Sequence, residues 1–134
     1  MEQKPLLRLL AIDDDDGDLA LLRRLLSRLP DREVELETCT VVREGIERLA
    51  AEEVDLLLLD YDLGAVDGVT LLRTVQAAGN APPAILWTGR RDDETKERAL
   101  EAGFTSVLRK DEVTVEAFRL AFETALGSAP RPLR

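Results

Sequence analysis

Apolar residues fill positions 6–12 except at Arg8, and the run stops at Asp13-Asp14-Asp15-Asp16-Gly17. A short apolar stretch ended by turn residues reads as a buried strand. Asp18 can cap the helix that follows, in which Leu19, Leu22, Leu26 and Leu29 recur at helical spacing with Arg23, Arg24 and Arg28 between them, up to Pro30. Glu33-Val34-Glu35-Leu36-Glu37 alternates strictly, so one face is wet and the strand belongs at a sheet edge. Val42, Ile46 and Leu49 mark a second helix, which Gly45 weakens by about 1 kcal/mol of propensity.

Val54-Asp55-Leu56-Leu57-Leu58-Leu59 is too short for a typical helix and too apolar for an edge, so it predicts a central strand buried on both faces, ending on Asp60. After the loop 61–67, Val69, Leu71, Leu72 and Val75 mark a third helix that closes at Gly79-Asn80. Pro82-Pro83 introduces the strand Ala84-Ile85-Leu86-Trp87, which ends on Thr88-Gly89. A fourth helix opens in the polar segment 90–98, capped by Asp92 or Asp93 and stopped by Gly103. The stretch 105–109 is a fifth strand ending on Lys110, and Val115, Phe118, Phe122 and Leu126 form the apolar stripe of a last helix. Five strand-helix units predict an α/β fold: a three-layer, doubly wound parallel sheet with helices on both faces. Without an internal repeat or linker, residues 1–127 read as one domain and 128–134 as a Pro- and Arg-rich tail or linker stub.

Composition narrows the chemistry. The 134 residues hold 18 Lys plus Arg against 27 Asp plus Glu, a formal net charge of −9, with no His and one Cys. Zero His excludes Ser-His-Asp and Cys-His nucleophilic sites and His-ligated metals. Cys39 by itself excludes an internal disulfide. The negative balance argues against direct nucleic-acid binding, which needs clustered Lys and Arg. Apolar runs of at most four residues argue against a membrane span. Met1 to Pro5 lacks an apolar signal core, so the expected location is cytoplasmic.

In a parallel sheet of this kind, ligand sites lie beyond the carboxyl ends of the strands, where the strand order reverses. Those ends carry Asp13 and Asp14, Asp60, Thr88 and Lys110. If the order is 2-1-3-4-5, the first and third strands are neighbours and the three carboxylates converge, flanked by Thr88 and Lys110. Packed carboxylates oppose one another's ionisation unless a cation compensates. Mg²⁺, a hard octahedral ion that takes a few carboxylates and keeps waters and phosphoryl oxygens, answers that need. Beside it, Asp60 can act as a covalent nucleophile toward a phosphoryl group, with Lys110 and the Thr88 hydroxyl on its oxygens.

These residues resemble the receiver domain of two-component response regulators. The resemblance runs from about Leu6 to Leu126 and rests on Leu-Leu-Ala-Ile-Asp-Asp-Asp, Leu-Leu-Leu-Leu-Asp-Tyr-Asp-Leu-Gly-Ala-Val-Asp-Gly, Ile-Leu-Trp-Thr-Gly and Val-Leu-Arg-Lys-Asp, in that order and spacing. It implies a flavodoxin-like sheet of order 2-1-3-4-5, which spacing does not fix. It also implies that Asp60 accepts a phosphoryl group from a sensor histidine kinase or a histidine phosphotransfer protein. Asp14 and Asp60 would hold Mg²⁺ with the backbone carbonyl of Asp62, and Asp13 would act largely through water. Thr88 and Lys110 would bind the phosphoryl group and couple it to the face of the fourth helix and fifth strand, toward a downstream protein partner. Asp62 and Arg90 occupy the positions that tune phosphate lifetime, and an ion pair between them is expected. Two positions depart from the pattern. Val107 replaces the aromatic switch residue, and Asp111 follows Lys110 where many members have a cis-Pro, so a trans bond is expected there.

Simpler readings stand beside this one. Asp15, Asp16 and Asp18 read as a solvated helix cap. Trp87 points away from Thr88 by strand alternation and reads as core whose fluorescence can report the site. Phe118 and Phe122 read as core, and Cys39 as a small buried or surface residue. Two other functions compete: a pseudo-receiver that binds partners without phosphorylation, and a haloacid-dehalogenase-like, Mg²⁺-dependent phosphatase built on Asp60-Tyr61-Asp62. The phosphatase needs a further acidic pair on a later strand, and none follows Lys110. One-sided faces on the first, fourth or fifth helix can each make a homodimer. The expected output is protein contact, either by the chain itself or within a larger protein.

Overall fold

The computed structural model describes residues 6–79 and 81–128. Five strands and five helices alternate: β1 (Leu6–Ile12), α1 (Asp16–Leu26), β2 (Glu33–Cys39), α2 (Val42–Ala51), β3 (Leu56–Asp60), α3 (Gly68–Ala77), β4 (Ala84–Thr88), α4 (Asp93–Ala102), β5 (Ser106–Arg109) and α5 (Val115–Ser128). The strands form one sheet in the order β2-β1-β3-β4-β5, and every neighbouring pair is parallel. This is the expected flavodoxin-like order, with the alternating strand at an edge. Among the described residues no helix is long and apolar enough to cross a membrane.

Strand alternation divides the core into two layers. Leu7, Leu9, Ala11, Leu56, Leu58, Ile85 and Trp87 point to the face covered by α1 and α5, where Leu22, Phe118 and Phe122 meet them. Leu10, Ile12, Leu57, Leu59, Ala84 and Leu86 point to the opposite face, against α2, α3 and α4. The four consecutive Leu of β3 are thus two pairs serving two layers, and all are essentially inaccessible. Cys39 is buried.

Local chemistry sets the helix bounds, and two expectations need correcting. Asp15, not Asp18, caps α1: it is the last extended residue, and its Oδ1 accepts from the amides of Gly17 at 2.7 Å and Asp18 at 3.2 Å. Asp18 therefore lies in the first turn. The helix also stops at Leu26, before Pro30. Asp67 caps α3 and Asp92 caps α4 through the amides of Thr70 and Thr95. Gly45 weakens α2, yet a Cβ there would collide with Ile12, so its absence lets α2 lie close on β1. Asn80 and the tail from 129 onward lie outside the described residues. None of the described peptide bonds is cis, so Lys110–Asp111 is trans as expected.

Candidate functional site

The carboxyl ends of β1, β3 and β5 converge. β1 and β3 are paired up to Ile12 opposite Leu59, so Asp13, Asp14 and Asp60 emerge side by side. Each offers a carboxylate oxygen, and these oxygens lie within 4.8 Å of one another. Asp13 and Asp60 are buried, at 1% and 5% exposure, while Asp14 faces solvent. Across β4, the first residue after β5 brings in the counter-charge: Lys110 Nζ lies 2.6 Å from Asp18 Oδ2, 2.9 Å from Asp13 Oδ2 and 3.2 Å from Asp60 Oδ1. The Lys110 backbone is fixed by its N–H donating to the Thr88 carbonyl at 2.9 Å. Behind Asp60, Gly68 has no room for a Cβ, which would strike the Asp60 carbonyl, and the Gly68 N–H donates to the Tyr61 carbonyl at 2.7 Å. The chain therefore turns tightly beneath the acid.

Burial makes this cluster electrostatically expensive. Burial first, then the neighbouring Asp13, push the Asp60 carboxyl up to about 7, against the opposing pull of Lys110. For Lys110, burial pushes the ammonium down, but Asp18, Asp13 and Asp60 together outweigh it and hold the group above its ordinary range. One ammonium does not neutralise the surrounding acids. Hard, clustered carboxylate oxygens with unmet negative charge suit a hard divalent cation, and Asp14 keeps one side of the cluster open to solvent.

The remaining expected residues lie just after β3, at and after the end of β4, and within β5. Thr88 is buried at 1%, and its Oγ1 accepts from the Arg90 N–H at 3.0 Å. The Arg90 guanidinium grips Asp62 with two bonds, Nε to Oδ2 at 3.2 Å and Nη2 to Oδ1 at 3.0 Å, so the expected ion pair is present. Both side chains are about half exposed, and Arg90 also covers the Tyr61 ring, 4.6 Å from its centroid. Arg98 of α4 donates to the Tyr61 hydroxyl at 2.6 Å, tying the loop after β3 to α4. Val107 lies partly buried against the α2/α3/α4 layer.

Two features escaped the sequence. Asp18, read as a solvated cap residue, is the shortest partner of Lys110, because Asp15 took the capping role and left the Asp18 side chain free to face the site. Trp87 was read as core, and it is, but its indole N–H also donates to Asp13 Oδ2 at 2.9 Å. Alternation turns Trp87 away from Thr88, but the register that sets it beside Asp60 is visible only in the structure.

Comparison with known proteins places this geometry. Residues 9–120 match the response regulator receiver domain family. Transcriptional regulatory protein GlrR of Escherichia coli (strain K12) is 33% identical over 131 residues, covering 97% of this chain and 28% of its own length. Response regulator MprA of Mycobacterium leprae is 33% identical over 104 residues, covering 78% of this chain and 44% of its own. The chain thus spans less than half the length of these relatives. Among solved structures, a CheY-like response regulator receiver domain protein from Methanospirillum hungatei superposes with a TM-score of 0.74 at 25% identity, covering 92% of this chain and 95% of that one. A match running from β1 into α5, on a sheet of the same order, makes this chain a member of the response regulator receiver domain family.

Proposed function

We propose that the chain is a phosphoryl-accepting switch in which Asp60 is the acceptor. A carboxylate oxygen of Asp60 forms the new P–O bond while the P–N bond of a phosphohistidine breaks, and the imidazole departs and takes up a proton. The donor would be a sensor histidine kinase or a histidine phosphotransfer protein. The carrying observation is the convergence of Asp60 with Asp13, Asp14 and Lys110 at the carboxyl ends of the strands.

Asp14 and Asp60, with the Asp62 backbone carbonyl, would hold Mg²⁺, and Asp13 would act through water. Bound there, the ion would offset charge on the phosphoryl oxygens. Lys110 stands 3.2 Å from the acceptor carboxylate, near enough to pair with a phosphoryl oxygen. Thr88 would donate its hydroxyl to another. The Asp62–Arg90 pair would set how readily water and donors reach the adduct, and so its lifetime. With Val107 at the switch position, the signal would leave without an aromatic rotation, toward a downstream protein partner. The receiver domain would comprise residues 1–127, with 128–134 as a tail, working in the cytoplasm. A phosphatase reading finds no support: among the described residues a turn and α5 follow Lys110, with no later strand to carry a second acidic pair.

Intact-mass measurement with Mg²⁺ and acetyl phosphate tests the proposal. Wild type should gain one phosphoryl mass that requires Mg²⁺ and disappears in Asp60→Ala. A folded, Mg²⁺-binding wild type that forms no adduct with acetyl phosphate or any phosphohistidine donor would support the pseudo-receiver reading instead.

A further inference from the structure

We propose that Trp87 is a positioning residue of this site: its indole N–H pins the Asp13 carboxylate beside Lys110 and keeps it out of direct contact with bound Mg²⁺, leaving the carboxylate ligation to Asp14 and Asp60. This rests on the reading of the acidic cluster as a Mg²⁺ site.

The argument starts from burial. Trp87 is 1% exposed, and its ring is braced by Phe118, with centroids 5.7 Å apart. A buried indole N–H needs an acceptor, and it finds Asp13 Oδ2 at 2.9 Å. That oxygen also faces Lys110 Nζ at 2.9 Å, while Asp13 Oδ1 accepts the Asp15 N–H at 3.0 Å. A carboxylate has about four acceptor directions, and three fixed donors already occupy both oxygens of Asp13. Trp87 further contacts the cation of this group, since Lys110 Nζ lies 5.7 Å from its ring centroid. Turning Asp13 toward a metal would abandon the indole N–H where no water reaches it, and an unmet buried donor is costly. Asp14, exposed and close by, has no such commitment to break. Asp13 is then the anchor that holds Lys110 in reach of Asp60, and Trp87 is what keeps the anchor fixed.

The chain has a single tryptophan, so its indole N–H gives one identifiable signal in a ¹⁵N–¹H spectrum. In wild type this signal should lie downfield and exchange slowly, and it should stay so at saturating Mg²⁺ while the backbone amides of Asp14 and Asp60 shift. Release of the indole N–H on Mg²⁺ addition, seen as an upfield move with accelerated exchange, would overturn the inference while leaving the metal reading intact. If Mg²⁺ moved none of these signals, the metal reading and the inference would fall together.

Trp87→Phe keeps a ring in place but removes the donor. It should free Asp13 and tighten Mg²⁺ binding on the order of tenfold, the effect of losing one hydrogen bond to a charged acceptor. A purely structural Trp87 would give unchanged or weaker binding, and that result overturns the inference. If this variant fails to fold, the wild-type indole signal decides.

Discussion

Two acidic clusters among the described residues differ mainly in depth. At the carboxyl ends of the strands, Asp13 and Asp60 are buried around Lys110. At the β2 edge, Glu37 and Glu52 meet Arg48 at 3.0 Å and 3.8 Å, with side chains 36% to 43% exposed. In the edge cluster, the Glu37–Glu52 hydrogen bond is the main cause of opposite shifts, lowering Glu37 and raising Glu52, with Arg48 and Arg8 also favouring Glu37 ionisation. In the buried cluster, burial and Asp13 drive Asp60 up to about 7 despite a cation at 3.2 Å. Acidic composition therefore says little about function until burial is known. Water disperses charge at the edge, whereas the sheet end concentrates it where a cation or a phosphoryl group can use it.

Removing the buried cation should break this contrast most strongly. Lys110→Met leaves Asp13, Asp18 and Asp60 without their shared ammonium, and loss of one partner from a buried pair costs about 3–5 kcal/mol. Urea unfolding at neutral pH in EDTA should show that loss. Mg²⁺ should restore part of it, because a second source of positive charge can occupy the same cluster. An equally stable Lys110→Met protein would mean that the buried acids are neutralised some other way.

The next effect is a pH dependence with a defined sign. The Asp60 carboxyl holds its proton up to about 7 when folded, against a value near 3.8 when unfolded. The folded state thus binds more protons across that window, and metal-free stability should fall as pH rises from about 4 to 7. At about 1.4 kcal/mol per unit the loss reaches at most about 4 kcal/mol. Asp60→Asn should flatten this slope and be the more stable protein at pH 7.5, as followed by thermal unfolding in EDTA. Its own slope remaining as steep as that of wild type would locate the strained proton elsewhere.

The patterned parts of this arrangement were legible in the sequence. Uniform Leu in β3 told of burial on both faces, alternation in β2 told of an edge, and the polar residues closing the strands marked the site. What remained hidden depends on register and on contacts between distant residues. No local pattern says that Asp18 meets a lysine 92 positions later, or that Trp87 lies opposite Asp60. Strand order came from family resemblance, because spacing sets alternation but not adjacency. Asp18→Asn probes one of these hidden contacts. It should cost about 1 kcal/mol, as for a partly exposed charged hydrogen bond. It should also leave Lys110 more committed to Asp13 and Asp60, making the stability slope between pH 4 and 7 shallower than in wild type.

The smallest effect belongs to the edge. Glu37 is held below its usual range, so its contribution to stability is present above about 4.5 and lost as pH falls. Glu52 is held above the same value, so its contribution has the opposite sign and is lost as pH rises. The two act in opposite senses and the ion pairs are solvated, so Arg48→Ala should leave both the unfolding midpoint and its acid slope nearly unchanged, with any residual difference erased by salt near 1 M, where screening acts within about 3 Å. The same salt should change the Lys110→Met deficit far less, because Asp13 and Asp60 are buried and diffuse screening acts weakly on buried charges. A salt response of equal size at both clusters would mean that screening does not weaken with depth here, and the contrast between the two clusters would be lost.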